Sequence, residues 1–144
     1  MPPSSPPKLS GASRPRTETA PDSGKVARVC VLAWLVPGLG HFAVGQSRKA
    51  AIFFAVLTAM YVIGLAFGGR LLPFTFDEPL VFLGAAAEWM VFVPRVLSGI
   101  AGLGPGDVIA ATYEYGNTFL IVAGLLNALV ILDAFDIVTG RKRA

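Results

Sequence analysis

Two long apolar runs dominate the pattern of hydrophobic and polar positions in this chain. The first covers residues 50–68 without a charge, and the second covers residues 117–138. A helix rises about 1.5 Å per residue, so runs of roughly 20 residues are long enough to cross a hydrocarbon core of about 30 Å. The pattern therefore predicts two transmembrane helices, one in each run.

A third apolar stretch, residues 26–45, is interrupted by Pro37 and the glycines that follow it. About 11 apolar residues precede the break, which is enough for half of the hydrocarbon core. Proline removes a backbone donor and glycine permits turns that other residues resist. We predict a broken or re-entrant helix here. A kinked full span is one alternative, and a cleavable secretory signal ending before Gln46 is another.

Residues 79–103 are apolar but contain Glu88, Pro94 and Arg95. A charge in the middle of a bilayer costs roughly 2.5 to 3.5 kcal/mol. We therefore predict a pair of interfacial or re-entrant helices instead of a full span. In a continuous helix, positions seven residues apart lie on one face, so Glu88 and Arg95 are a candidate buried pair.

The composition places the chain in lipid. Hydrophobic residues make up 54% of it and charged residues only 15%, which is unusual for a water-soluble domain. Residues 1–25 are rich in Pro and Ser and are predicted to be a disordered tail, whereas residues 26–142 form the membrane domain. The predicted fold class is all-α: a small integral membrane helical bundle with broken or re-entrant helices.

The basic residues indicate an orientation. They collect at 25–28, in the loop 46–49 and at 141–143, whereas the segment 69–112 has four acidic and two basic residues. Because cytoplasmic flanks are enriched in Lys and Arg, we expect the loop and the C-terminus in the cytoplasm and the middle segment outside. The predicted location is the bacterial cytoplasmic membrane. The basic residues form no stripe with exposed aromatic residues, so no nucleic-acid partner is expected.

Several polar residues are predicted to gather at the cytoplasmic end. This candidate polar cluster consists of His41, Arg48, Lys49, Asp133 and Asp136. Two carboxylates near a helix C-terminus oppose the helix dipole, so a basic partner is expected. The cluster is either a metal or proton site or, as we favour, a structural group that fixes the broken helix to the last span. No fourth metal ligand is evident, so no metal and no cofactor is expected.

The chain has one histidine and one cysteine, and no nucleophilic catalytic arrangement is legible, so we predict no enzyme. Small residues let membrane helices approach closely and predict packing faces. The candidate helix-packing residues are Gly64, Gly68, Gly124, Asn127 and Ala128.

The leading hypothesis is a non-enzymatic accessory or scaffold protein that associates as a homo-oligomer or within a larger membrane complex. The alternative is a small transporter or ion-conducting oligomer with a polar site at the cytoplasmic side.

Two motifs carry a resemblance. PGLGHFAVGQSRKAA before a span, together with LDAFDIVTG, is distantly similar to the TM-two domain family. AWLVPGLGHF with TYEYGNTFLIVAGLLNALVILDAFDIVTGRK more closely resembles an uncharacterised family of small bacterial multi-pass membrane proteins, known chiefly from acidobacteria and related phyla. The similarity covers roughly residues 30–55 and 112–142. Phe42 and Ala43 stand where TM-two members usually have Phe-Tyr, and the Asp-Arg-Phe motif of the animal members is absent. The resemblance therefore implies a membrane topology and does not indicate an activity.

Overall fold

A computed structural model describes residues 22–141, and these residues form an all-α fold, as predicted. The helices are α1 (Ser23–Leu35), α2 (Leu39–Ala43), α3 (Ser47–Ala66), α4 (Pro79–Glu88), α5 (Phe92–Ile100) and α6 (Tyr113–Val138). Most of the predicted tail lies outside the described residues. Its last three residues belong to α1, because Asp22 caps the helix by accepting a hydrogen bond from the Gly24 N–H at 3.0 Å.

The two predicted spans correspond to the two long helices. Helix α3 has 20 residues and α6 has 26, and both are apolar and long enough to cross a membrane. Each begins a few residues earlier than predicted: α3 starts at Ser47 and includes Arg48 and Lys49, and α6 starts at Tyr113. Helices α4 and α5 qualify as a third span only when taken together, and they are bent by 102° relative to each other.

Helices α3 and α6 run antiparallel and pack through small residues. The Cα of Gly64 lies so close to α6 that an added Cβ would come within 2.8 Å of Leu120 Cγ and 3.0 Å of the Gly116 carbonyl oxygen. Tyr61 and Leu120 meet in the buried core with Val91, which follows α4. Helix α6 therefore forms the central element against which the other helices are arranged.

Helices α1 and α4 approach α6 from opposite ends and stop near its middle. Helix α1 begins beside the C-terminal end of α6, where Val26 and Phe135 line one surface cavity. Helix α4 comes from the other end, because a Cβ added at its Gly84 would lie 3.3 Å from Ile121, whereas one at Gly124 of α6 would meet Ala87, further along α4. Their 13 and 10 residues give lengths of about 20 and 15 Å. Each helix therefore covers only part of α6, and both end at the level of Asn127.

After each of these helices the chain turns back. We call α1 with α2 (residues 23–43) hairpin 1, and α4 with α5 (residues 79–100) hairpin 2. In hairpin 1 the turn needs a glycine, because Gly38 has a φ of +86° and a Cβ there would lie 2.4 Å from the Ala50 carbonyl oxygen. Hairpin 2 returns to the loop after α3, where the Leu71 N–H donates to the Gly104 carbonyl at 2.9 Å.

Candidate functional site

Asn127 lies near the middle of α6 and joins both hairpins to it. Its side chain is 0% exposed. Nδ2 donates hydrogen bonds to the Ala33 carbonyl at 3.1 Å and to the Met90 carbonyl at 2.6 Å. A primary amide carries two N–H donors, so one side chain serves both carbonyls. The last turn of α1 and the end of α4 are thus held at one point.

Both carbonyls need an external donor because each lies four residues before a proline. In a continuous helix the N–H of residue i+4 would bond to the carbonyl of residue i. For Ala33 that residue is Pro37, and for Met90 it is Pro94; proline has no N–H to give. A buried polar group without a partner costs about 1 to 3 kcal/mol. The chain also turns away after each of these carbonyls, so Asn127 supplies a donor to two groups at helix ends that no backbone N–H reaches through a continuing helix.

A second side-chain donor joins the ends of α1 and α4. The Trp34 indole N–H on α1 donates to the Trp89 carbonyl at the end of α4, at 2.9 Å. The Trp34 ring also packs on Phe92, with ring centroids 4.5 Å apart. The ends of the two half-length helices are consequently joined directly to each other as well as through α6.

His41 binds α2 to α6. Its side chain is 0% exposed, and its Nε2 lies 2.9 Å from Oδ2 of Asp133, whose side chain is 22% exposed. This contact assigns a proton to Nε2, because a carboxylate oxygen is an acceptor. The ring packs edge-on against Phe53 of α3, with centroids 4.9 Å apart. The other ring nitrogen, Nδ1, is buried without a hydrogen-bond partner among residues 22–141.

Glu88 and Arg95 meet within hairpin 2. Glu88 is 0% exposed and its Oε2 lies 3.4 Å from Arg95 Nε, while Arg95 is 13% exposed. Oε2 also accepts from the Leu72 N–H at 2.9 Å, and Arg95 Nη2 donates to the Leu72 carbonyl at 3.0 Å. The two residues of the candidate buried pair do meet, but not along one face of a continuous helix. The chain bends by 102° between α4 and α5, and the pair reaches across that bend.

The remaining members of the candidate polar cluster, Arg48, Lys49 and Asp136, are not part of the His41–Asp133 contact. Arg48 is exposed and Lys49 is half-buried in the first turn of α3, where both line a surface pocket beside Gln46. Asp136 is half-buried one turn beyond Asp133. The structure therefore brings His41 and Asp133 into contact and leaves the two basic residues on the surface side of α3.

The candidate helix-packing residues lie in different environments. An added Cβ at Gly124 would lie 1.8 Å from the Ala87 carbonyl oxygen, so α4 packs directly on this glycine. Gly68 lies beyond the end of α3, in a turn with a φ of +79°, and contacts the loop residue Asp107 instead of a helix. Ala128 is half-buried on α6. Gly64 and Gly124 are thus used for packing within the chain.

An apolar groove between α3 and α6 ends at Asp133. Its volume is about 390 Å³, and its lining consists of Ile52, Phe53, Val56, Leu57, Leu126, Leu129, Val130 and Asp133. Phe53 separates the groove from His41, whose ring it contacts. Asp133 is therefore reached from the outer surface of the two long helices, whereas His41 is sealed behind it.

Sequence reasoning missed several residues that build this site. Trp34 and the Leu72 backbone were not singled out, although both bind across hairpin 2. The signal for the Asn127 contacts was present in the prolines, because each identifies the carbonyl that it leaves without a donor. Within residues 22–141, no group of three or more His, Cys, Asp or Glu side chains is placed to hold a metal ion.

Long apolar helices, two shorter broken ones and polar side chains buried between them define an α-helical protein compatible with a membrane. The model of a family of unknown function, DUF6677, matches residues 28–143, so the chain belongs to that family. No curated protein and no solved structure matches the chain. The acidobacterial origin and the similarity to TM-two proteins stay predictions.

Proposed function

We propose that the chain is a small, non-enzymatic transporter or ion-conducting protein that works as an oligomer in the cytoplasmic membrane. One observation carries the proposal: two half-length helices enter from opposite ends and meet on Asn127. Transporters build sites near the middle of the bilayer from such discontinuous helices. A scaffold needs only continuous helices, and interrupting them costs backbone hydrogen bonds that must be replaced.

Ionisable side chains inside the bundle support the same function. Glu88 and His41 are both fully buried among apolar helices. Such groups are expensive in a membrane and commonly mark ion or proton pathways. Asp133 adds a carboxylate at the end of the groove between α3 and α6.

The outer surfaces of the long helices favour an oligomer. In the most apolar 18-residue windows of α3 and α6, only 22% and 33% of the residues are buried within the chain. The remainder faces lipid or other copies of the chain. The groove that ends at Asp133 lies on this surface, so a path between copies would pass the carboxylate.

Orientation is part of the proposal. Val26 lies beside Phe135, and Phe53 lies beside Asp133 in the groove, so the start of α1, the start of α3 and the end of α6 share one end of the bundle. We place this end in the cytoplasm, because the basic residues of the chain collect there and cytoplasmic flanks are enriched in Lys and Arg. In a Cys30→Ala background, cysteine at Ser47 should resist a membrane-impermeant maleimide added outside cells, whereas cysteine at Asp77 should react. The reverse labelling would contradict the orientation.

The function is tested by reconstituting the purified chain into liposomes and following the decay of K⁺, Na⁺ and proton gradients. We expect faster decay than in empty liposomes, and loss of that decay in Asp133→Asn. Asp136→Asn is the matched control, because it changes the same chemistry one turn away. Wild-type liposomes that hold all three gradients as tightly as empty ones would refute transport.

An accessory or scaffold protein is the second candidate. It is favoured by the large exposed apolar side chains outside the spans, such as Phe76 and Ile109, which are 85% and 93% exposed. Gly64 and Gly124 contribute little to this candidate, because both are already packed within the chain. Purification in mild detergent followed by mass spectrometry tests it: a stoichiometric membrane partner supports the accessory role, and a homo-oligomer alone argues against it.

A further inference from the structure

We infer that His41 and Asp133 form a proton-binding site and that the proton is the ion this protein carries. The inference rests on the proposed function and specifies its substrate. An imidazole on α2 and a carboxylate on α6 lie 2.9 Å apart, Nε2 to Oδ2, within an otherwise apolar packing of helices. Carboxylate and imidazole groups are the side chains from which proton relays in membranes are built.

Asp133 is the member of the pair that exchanges protons with water. Its side chain is 22% exposed and lines the groove, whereas His41 is 0% exposed. Helix α6 ends at Val138, so Asp133 lies about 7.5 Å from that end along the helix axis. The carboxylate is therefore the member of the pair that lies near the water at this end of the bundle, whereas the imidazole is enclosed.

The hydrogen bonds decide where the incoming proton binds. Without it, neutral His41 donates through Nε2 to the Asp133 carboxylate, and the pair carries one negative charge. His41 Nδ1 is buried without a hydrogen-bond partner in the described part of the chain, so a proton there would be a buried donor without an acceptor. The proton accordingly binds an oxygen of Asp133, the carboxyl becomes neutral, and release to water restores the charge.

Helices α1, α3 and α6 pack against α2. The titratable and charged side chains that they carry on this half of the bundle are Lys25, Arg28, Cys30, Arg48, Lys49, Asp133 and Asp136. Basic groups outnumber acidic ones in this set. The ionised carboxylate therefore has counter-charge at the same end of the molecule once the proton has left.

The other ion pair does not meet these conditions. Arg95 does not lose its proton in proteins. Glu88 is 0% exposed, and one of its oxygens is held by the Leu72 N–H. Of the two ion pairs within residues 22–141, the His41–Asp133 pair is therefore the one that combines a proton acceptor with access from the surface.

The first test follows the carboxyl group itself. Infrared difference spectra of the full chain in lipid, recorded between acid and alkaline pH, should contain a protonated-carboxyl band that Asp133→Asn removes and Asp136→Asn retains. His41→Gln should shift this band, because it changes the hydrogen-bond donor at Oδ2. Spectra in which Asp133→Asn removes no titrating band would overturn the inference.

The second test measures proton entry into liposomes that contain a pH-sensitive dye, driven by a K⁺ diffusion potential. We expect Asp133→Asn to lower the flux at least about tenfold and Asp136→Asn to leave it within about twofold. Asp133→Glu, which keeps a carboxylate, should retain flux, and equal gel-filtration profiles show that the variants fold.

Wild-type flux of Na⁺ or K⁺ without proton flux, or proton flux that survives Asp133→Asn, overturns the inference but leaves the proposed function standing. Absence of flux of every tested ion overturns both.

Discussion

Hairpin 1 and hairpin 2 both stop at Asn127, but they are held by different charges. Hairpin 1 is bound to α6 through His41 and Asp133, whereas hairpin 2 is bound across its own bend through Glu88 and Arg95. The first pair joins a buried imidazole to a partly exposed carboxylate, whereas in the second pair the carboxylate is fully buried. The comparison teaches that one junction can combine an ion pair that reaches the surface with one enclosed within a hairpin.

The largest expected effect comes from breaking the enclosed ion pair of hairpin 2. Arg95→Met leaves the carboxylate of Glu88 buried without its cation, and we expect the free energy of unfolding in detergent micelles to fall by about 4 kcal/mol. Denaturant titration followed by circular dichroism measures the loss. The double variant Glu88→Gln with Arg95→Met removes both charges and should recover much of the stability; an equal loss in the double variant would mean that the charge is not the cause.

Gly124→Ala should be the next most harmful change. Its Cβ would lie 1.8 Å from the Ala87 carbonyl oxygen, which is backbone and cannot turn away. Hairpin 2 would have to move off α6, at a cost of about 3 kcal/mol in the free energy of unfolding. Gly99→Ala is the matched control, because the nearest atom to its Cβ is Arg95 Nη1 at 3.9 Å. Similar losses in both variants would contradict close packing at Gly124.

Asn127→Leu removes the donors that serve both hairpins and should cost about 2 kcal/mol of unfolding free energy. The matched control is Leu129→Ala, because the Leu129 side chain lies on the exposed face of α6 and is 61% exposed. Thermal or chemical unfolding measures both losses. Equal losses in the two variants would show that Asn127 does not hold the hairpins.

His41→Gln should have the smallest effect, a loss of about 1 kcal/mol in the free energy of unfolding. Glutamine retains a donor, and Asp133 keeps contact with solvent because its side chain is 22% exposed. Unfolding experiments at neutral pH, run beside Arg95→Met, provide the comparison. A loss as large as that of Arg95→Met would remove the distinction between the ion pair that reaches the surface and the enclosed one.

The long helices and the break at Pro37 were predictable because they depend on local sequence. An uncharged run of about 20 residues has few alternatives to a membrane helix, and the structure has helices at 47–66 and 113–138. Proline followed by glycine disfavours the continuation of a helix, and α1 ends at Leu35. The charged residues in 79–103 argued against a full span, and the chain there bends by 102°.

The contacts that build the site were less predictable because they join distant positions. Asn127 bonds to carbonyls 94 and 37 residues away, and its predicted role was only helix packing. Its second partner depends on the depth at which hairpin 2 stops, which local sequence does not specify. Gly68 shows the opposite failure: its spacing from Gly64 suggested a shared helix face, but α3 ends at Ala66.

The central position of α6 has a consequence for biosynthesis. When the ribosome has made residues 23–100, the donor that serves the carbonyls of Ala33 and Met90 has not yet been translated. Because synthesis proceeds from the N-terminus, these hydrogen bonds form only after Asn127 has emerged. Assembly is thereby ordered in time: the early hairpins acquire their final positions only after the last helix has entered the fold.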